Sequence, residues 1–304
     1  MSTATVAAGG ISRKGLLQLG LSVLLLSSAW PAAKYALMHG TSPLWFASGR
    51  ALLSLVTVCL VVGLRFRFRW PRRADLPALL SVGGLQLGAF FAFAHLAASW
   101  VSAGRTAILA NTTTIFVVPL SLLFLHERIP PGRWIAAILG LAGVTILMGP
   151  WSIDWTDRNV LIGNAFLLLA GLSFSIALIA VRGWRPAMSM IELLPWCFAL
   201  ASAMLVMLVA WRDSAGGIGQ DPKCWMALAY IGLIAGPVGT WCIMEASANL
   251  PTVVSSVGFL ATPTVGLILS NLVLGEPLTP DLLVGSALIL GGVAFAARPE
   301  RRRG

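Results

Sequence analysis

Charge is what this chain has least of. Asp, Glu, Lys and Arg make up 11% of its residues while 58% are hydrophobic, with a mean hydropathy of +0.87; soluble domains carry about 25% charged residues. That shortage excludes a compact water-soluble domain. Acidic groups are scarcer still, 11 in 304 residues, and none falls in the middle of an apolar run. A carboxylate relay inside the apolar part of the protein is thereby excluded, although proton-coupled carriers usually need one. Histidine and cysteine are almost as rare. The four cysteines, Cys59, Cys197, Cys224 and Cys242, lie within or at the edge of apolar runs and lack metal or redox spacing. Their expected role is that of buried thiols. With no metal-ligand cluster, phosphate loop or catalytic constellation, the chain reads as a non-enzyme without metal or cofactor.

What it has is long apolar runs. They occupy residues 14–37, 43–64, 75–98, 103–125, 132–150, 160–182, 188–211, 223–245, 252–274 and 280–297. Each is about 18–25 residues long, which matches the roughly 20 helical residues that cross a bilayer. Most lack the polar stripe of a soluble amphipathic helix. The expected fold class is an all-α membrane protein of ten transmembrane helices.

The runs repeat. Two stretches, LLFLHERIPPGRWIAAILGLAGVTIL and LILSNLVLGEPLTPDLLVGSALILGGVAF, each place a glutamate in a short polar turn. Aligning Glu127 with Glu276 also aligns Pro131 with Pro280 and Gly143 with Gly292, an internal duplication of about 149 residues. Five spans per copy is an odd number, so the second copy enters the membrane from the opposite side. Inverted pairs of this kind build many secondary transporters, with the substrate site near the midplane between the halves. The expected organisation is a cytoplasmic tail (1–13), a first five-helix repeat (14–150), an extracellular linker (151–159), a second repeat (160–297) and a basic cytoplasmic tail (298–304).

The net charge of +10 has to be read by position. With a cytoplasmic N-terminus, Arg13, Lys14, Arg65, Arg67, Arg69, Arg72, Arg73, Arg128, Arg133, Arg182, Arg185, Arg298, Arg301, Arg302 and Arg303 share one side. The other receives Arg105, Arg158, Arg212 and Lys223. This is the positive-inside pattern for two cytoplasmic termini. Basicity therefore points to the bilayer as partner, not to nucleic acid. Arg13 and Lys14 before an apolar run resemble a signal peptide, but cleavage would destroy the five-plus-five symmetry. An uncleaved first span is expected.

The segment SAWPAAKYALMHGTSPLWFASGRALLSL and the two glutamate turns with their glycine-bearing last helices resemble the EamA-type drug/metabolite transporters over nearly the whole chain. Lys34, Arg50, Glu127 and Glu276 stand at positions where that family commonly has a lysine, an arginine and the repeat's glutamates. The aromatic content and the stretch from Gly236 to Pro263 are similar to the YddG group of aromatic amino acid exporters. Thr114 stands where the first repeat often has the proline that Pro263 supplies in the second, and Pro119 is the nearest proline.

Interfacial anchoring accounts for nine of the twelve tryptophans, Trp45, Trp70, Trp100, Trp134, Trp151, Trp155, Trp184, Trp211 and Trp225. Trp30, Trp196 and Trp241 lie deeper, where they serve packing or a substrate. On the third span Gln86, Phe90 and Phe93 share one helical face, and Gly84, Gly88 and His95 another. Asn111, Ser255, Phe259 and Thr262 add an amide, hydroxyls and a ring on the fourth and ninth spans. Such groups suit an amphiphilic solute, although hydroxyls also bond back to their own helices. Pro119, Gly236, Pro237 and Pro263 are the expected hinges. Arg50, well inside the second span, costs about 2.5–3.5 kcal/mol if unpaired near the bilayer centre; it either binds a carboxylate or fixes helix packing. Lys34 is close enough to an end to snorkel.

The functional expectation is a bacterial inner-membrane exporter of amino acids, aromatic and other neutral ones favoured, or of related metabolites. It would work by alternating access, gradient-driven because His95 is the one plausible titratable relay. The alternatives are an exporter of drugs or other small metabolites on the same fold, and a proton-coupled exchanger. A monomer is the working expectation.

Overall fold

The computed structural model describes residues 12–65, 68–97, 100, 113–125, 131–148, 156–184, 186–259, 261–274 and 280–296. Among these every regular element is helical. We number them α1 (Arg13–Met38), α2 (Pro43–Arg65), α3 (Arg73–Ala97), α4 (Thr113–Phe124), α5 (Pro131–Met148), α6 (Arg158–Gly183), α7 (Met190–Arg212), α8 (Pro222–Asn249), α9 (Thr252–Phe259), α10 (Ala261–Leu274) and α11 (Pro280–Ala296). Six of them, α1, α2, α3, α6, α7 and α8, are long and apolar enough to cross a membrane. Exposed Leu, Val, Ile and Trp side chains cover their outer faces, as expected where lipid is the solvent. The all-helical membrane class read from composition therefore holds. Glu127 and Glu276, whose turns revealed the repeat, lie outside the described residues.

Packing between the halves follows an exchange rule. α1 lies against α8 and α10, and α6 lies correspondingly against α3 and α4; α2 packs on α7, and α5 on α11. The closest contact is the last of these. A Cβ built on Gly143 would stand 2.6 Å from the carbonyl oxygen of Gly285, and one on Gly292 would stand 2.8 Å from that of Ala136. The four positions form two pairs, each 149 residues apart. Close approach of backbones through small residues is a main source of helix association in lipid.

α3 and α8 are not plain α-helices. Leu80–Ala89 in α3 and Ile231–Ala235 in α8 are π-helical. In α8 the Gly236 N–H reaches the Ile231 carbonyl, and Pro237, which has no N–H to give, follows immediately. Gly83 and Gly232 sit inside these wide turns at matching positions. A Cβ on Gly83 would meet the Cys197 backbone of α7 at 2.9 Å, and one on Gly232 would meet the Leu53 Cβ of α2 at 2.5 Å. Ser54 Oγ, on α2, donates to the Gly232 carbonyl over 2.8 Å, which gives that oxygen a partner across the helix interface.

The two ends of the bundle are tied differently. At the end carrying Arg69, Arg72 and Arg73, Asp75 is fully buried and accepts from the backbone N–H groups of Ala187 (2.7 Å), Met188 (2.9 Å) and Arg72 (2.8 Å). It thereby joins the loop before α3 to the loop before α7. At the opposite end the Tyr35 hydroxyl donates to Asp221 Oδ2 over 2.6 Å, and Trp45 Nε1 donates to the Asp213 carbonyl over 2.8 Å. The Tyr35 bond, with the Lys223 N–H, holds the Asp221 carboxyl below the usual carboxylate range. That contribution is complete at neutral pH and fades as pH falls through the lowered value.

Apolar packing is equally uneven. At the arginine end a single cluster runs from Leu19 and Val23 through Val58, Val82, Leu194, Phe198 and Ile243 to Leu250 and Val254. At the other end separate clusters form, one of Ala29, Ala33, Ala36, Phe46 and Leu228, another of Phe90, Ala94, Ala97 and Leu167.

Candidate transport cavity

Between those separated clusters lies a cavity whose free space, counted out to its open mouth, is about 890 Å³. α1 contributes Leu26, Ala29, Trp30 and Ala33, and α2 contributes Arg50. Gln86, Leu87, Phe90, Phe91, Ala94 and His95 come from α3, and Phe174 from α6. Thr240 and Ile243 of α8, Phe259 of α9 and Thr262 of α10 complete the wall. Rings and small aliphatics dominate, with one cation, one amide, one imidazole and two hydroxyls, and no carboxylate among them.

Seven of the twelve expected positions meet here: Trp30, Arg50, Gln86, Phe90, His95, Phe259 and Thr262. Four others do not. Phe93 points away and stacks on Phe166, with ring centroids 5.8 Å apart. Phe90–Ala97 is a regular α-helix, so Phe90, Phe91, Ala94 and His95 form one stripe facing the cavity and Phe93 falls outside that stripe. Trp196 is not deep. α7 starts at Met190, so its indole lies at the arginine end, where Nε1 donates to the Arg69 carbonyl over 3.0 Å and the ring stands 4.5 Å from that of Trp70. Trp241 is half-buried and packs on the large cluster beside the cavity residue Thr240. Ser255 bonds back to the Pro251 carbonyl at 3.3 Å, as helix hydroxyls commonly do. Asn111 lies outside the described residues. The expected hinges fall as follows: Gly236 and Pro237 end the π turn of α8, Pro119 lies inside α4, and Pro263 inside α10.

The polar groups of the wall are held, not loose. Ser27 Oγ, on α1, donates to the Thr262 carbonyl over 2.8 Å and so pins α10 to α1. His95 Nδ1 is 2.8 Å from the Phe91 carbonyl. A carbonyl can only accept, so Nδ1 carries the proton and Nε2 of the neutral ring is an acceptor. The Arg50 guanidinium carbon lies 4.1 Å from the centroid of the Phe91 ring. Among the described residues it makes neither a hydrogen bond nor an ion pair. Gln86 is 2% exposed and its Oε1 has no partner among the described residues. Sequence reasoning missed Phe91, Phe174 and Thr240. Only the i, i+4 relation of Phe91 to His95 pointed to the first.

The EamA-like transporter family matches this chain twice, at residues 13–149 and 161–298. An uncharacterised transporter of Archaeoglobus fulgidus is 26% identical over 283 residues, covering 92% of this chain and 97% of the relative. The uncharacterised transporter YdfC of Bacillus subtilis is 24% identical, with 93% and 92% covered. A probable terminal-alkyne amino-acid exporter of Streptantibioticus cattleyicolor is 23% identical, with 94% of each chain covered. One crystal structure shares the fold at a TM-score of 0.75 and 17% identity, over 94% of this chain and 98% of that one. A helical membrane bundle around a cavity of rings and a lone cation, matched in both halves by one family, belongs to the EamA-like transporter family.

Proposed function

We propose that this chain is a bacterial inner-membrane exporter of neutral amino acids, aromatic ones favoured, working by alternating access between two inverted five-helix repeats. The cavity carries the reading: an apolar aromatic wall for a side chain, with a cation and an amide for the two ends of a zwitterion. The amino-acid exporter among the relatives supports the substrate class. The continuous apolar cluster at the arginine end and the divided packing at the other support a state sealed toward the cytoplasm and open outward.

The test is counterflow in sealed liposomes containing the purified protein, with a panel of labelled amino acids. Exchange of phenylalanine or methionine is expected to saturate and to proceed without a pH gradient, since among the described residues the cavity lining contains no carboxylate and a single imidazole, His95. Flux of none of the panel would end the amino-acid reading. Accumulation that collapses with a protonophore and vanishes in His95→Ala would instead make the carrier proton-coupled.

Orientation has its own test. In a cysteine-free version, a cysteine at Asp157 is expected to react with an impermeant thiol reagent from outside intact cells, and one at Arg72 is not. The reverse pattern would invert the topology.

A further inference from the structure

Arg50 poses a problem that the transport reading leaves open. A permanently charged guanidinium sits inside a membrane-spanning helix without an ion pair or a hydrogen bond among the described residues, and its contact is an aromatic face. A ring quadrupole offsets part of the cost of a desolvated cation but accepts no conventional N–H bond. Five donors therefore remain for something else. Helix packing would consume them on carbonyls or carboxylates, as Arg182 does when its Nε donates to the Ser247 carbonyl over 2.8 Å.

The surroundings select what that something is. Among the described residues the cavity wall contains no acid, so the field these residues set inside it comes from one unoffset positive charge. An organic cation entering meets repulsion with nothing to pair with. A carboxylate meets a planar donor fork, the geometry that guanidinium matches best. Phe90, Phe174, Trp30 and Phe259 line the rest of the space with apolar faces, and Gln86, 2% exposed and with no partner for its Oε1 among the described residues, lies in the same wall. Phe91 is the residue that fixes the fork: its ring lies under the guanidinium, and its own carbonyl is taken by His95.

Resting on the transporter reading and extending it, we infer that the cavity is a carboxylate-selective site for apolar organic acids and amino acids, in which Phe91 positions Arg50 for the carboxylate, and that it rejects organic cations. Arg50 is the specificity determinant and Phe91 a positioning residue. Gln86 is available to the ammonium group when the substrate has one.

The experiment is ligand-induced thermal stabilisation of the purified full chain at neutral pH, with three probes of one ring size: phenylalanine, 3-phenylpropanoate and phenethylamine. Both carboxylates are expected to raise the unfolding midpoint, and the amine is not. The response should disappear in Arg50→Gln. In Phe91→Leu the apparent affinity for the acids should fall by about ten- to a hundredfold, the range for losing hydrogen bonds to a charged group, and return in Phe91→Trp, which restores a ring face. Should Arg50→Gln fail to fold, the Phe91 pair decides, because it leaves the charge in place. Stabilisation by the amine equal to that by the acids, no stabilisation by either acid, or an unchanged response in Phe91→Leu would overturn the inference. Stabilisation by the acids without counterflow would instead defeat the transport reading and leave this one standing.

Discussion

Gly143→Leu is expected to lower the unfolding midpoint of the purified protein by roughly 2–12 °C and to reduce the folded yield from membranes. The new Cβ would lie 2.6 Å from the Gly285 carbonyl oxygen, 2.8 Å from the Ile289 side chain and 3.0 Å from the Ile289 nitrogen. Two of those three atoms are backbone, so relief requires α5 and α11 to separate along their length. Over-packing of this kind costs about 1–3 kcal/mol, and each kcal/mol corresponds to roughly 2–4 °C for a chain somewhat smaller than this one. The control is one residue from the symmetry-related glycine. A Cβ on Gly291 meets nothing within 4 Å, so Gly291→Leu should leave the midpoint unchanged. Equal losses in both variants would mean that leucine is tolerated poorly in α5 and α11 whether or not its position faces the other helix, and that the glycine contact is not what joins the two helices.

The second large effect concerns Asp75. Truncation to alanine removes the acceptor from three backbone N–H groups, two of them on the loop before α7. Hydrogen bonds to a charged acceptor contribute about 1.5–3 kcal/mol each. They are not additive in one network, and a loss on the order of 3 kcal/mol is expected. Asp75→Asn keeps the shape and one carbonyl oxygen for the Ala187 and Met188 donors, so it should fall between wild type and alanine. Thermal unfolding of the three proteins side by side is the measurement. Asparagine as damaging as alanine would show that the charge, not the acceptor geometry, joins the loops. An alanine variant as stable as wild type would remove Asp75 from the account altogether.

The sequence was most legible where a periodic rule was enough. Apolar runs located α1, α2, α3, α5, α6, α7, α8 and α11 to within a few residues, because hydropathy over about 20 residues is a strong signal in any membrane protein, whereas the run 252–274 is divided into α9 and α10. Gly143 and Gly292, aligned as repeat equivalents, prove to make two reciprocal contacts, since small residues allow close helix approach. Within the site, residues of unusual chemistry such as Arg50 and Gln86 stood out by type alone. Side-chain direction was less legible. Phe93 lies off the cavity face and His95 on it, because the stripe of Phe90, Phe91, Ala94 and His95 faces the cavity instead of the row through Gln86, Phe90 and Phe93, and hydropathy does not choose between two such apolar faces. Phe91 went unnoticed because one phenylalanine in the run FFAFAH looks like another until the register is known. Asp75 was passed over for a related reason: a carboxylate at the start of a helix reads as an ordinary cap, and two of its three donors lie more than a hundred residues away.

The wide turns in α3 and α8 have a mechanical consequence. A π turn holds more residues than an α turn, and removing one residue from the register swings the rest of the helix by about 100°. In α3 the wide stretch separates Ala78, which belongs to the seal at the arginine end, from Phe90, Phe91 and His95, which form the cavity wall. Tightening that stretch would turn the binding face away from Arg50 while the seal stayed where it is. α3 contains ten such residues and α8 five. Under the alternating access proposed above, the helix would work like a shaft with a clutch at its middle, whose upper half changes partners without dragging the lower half along.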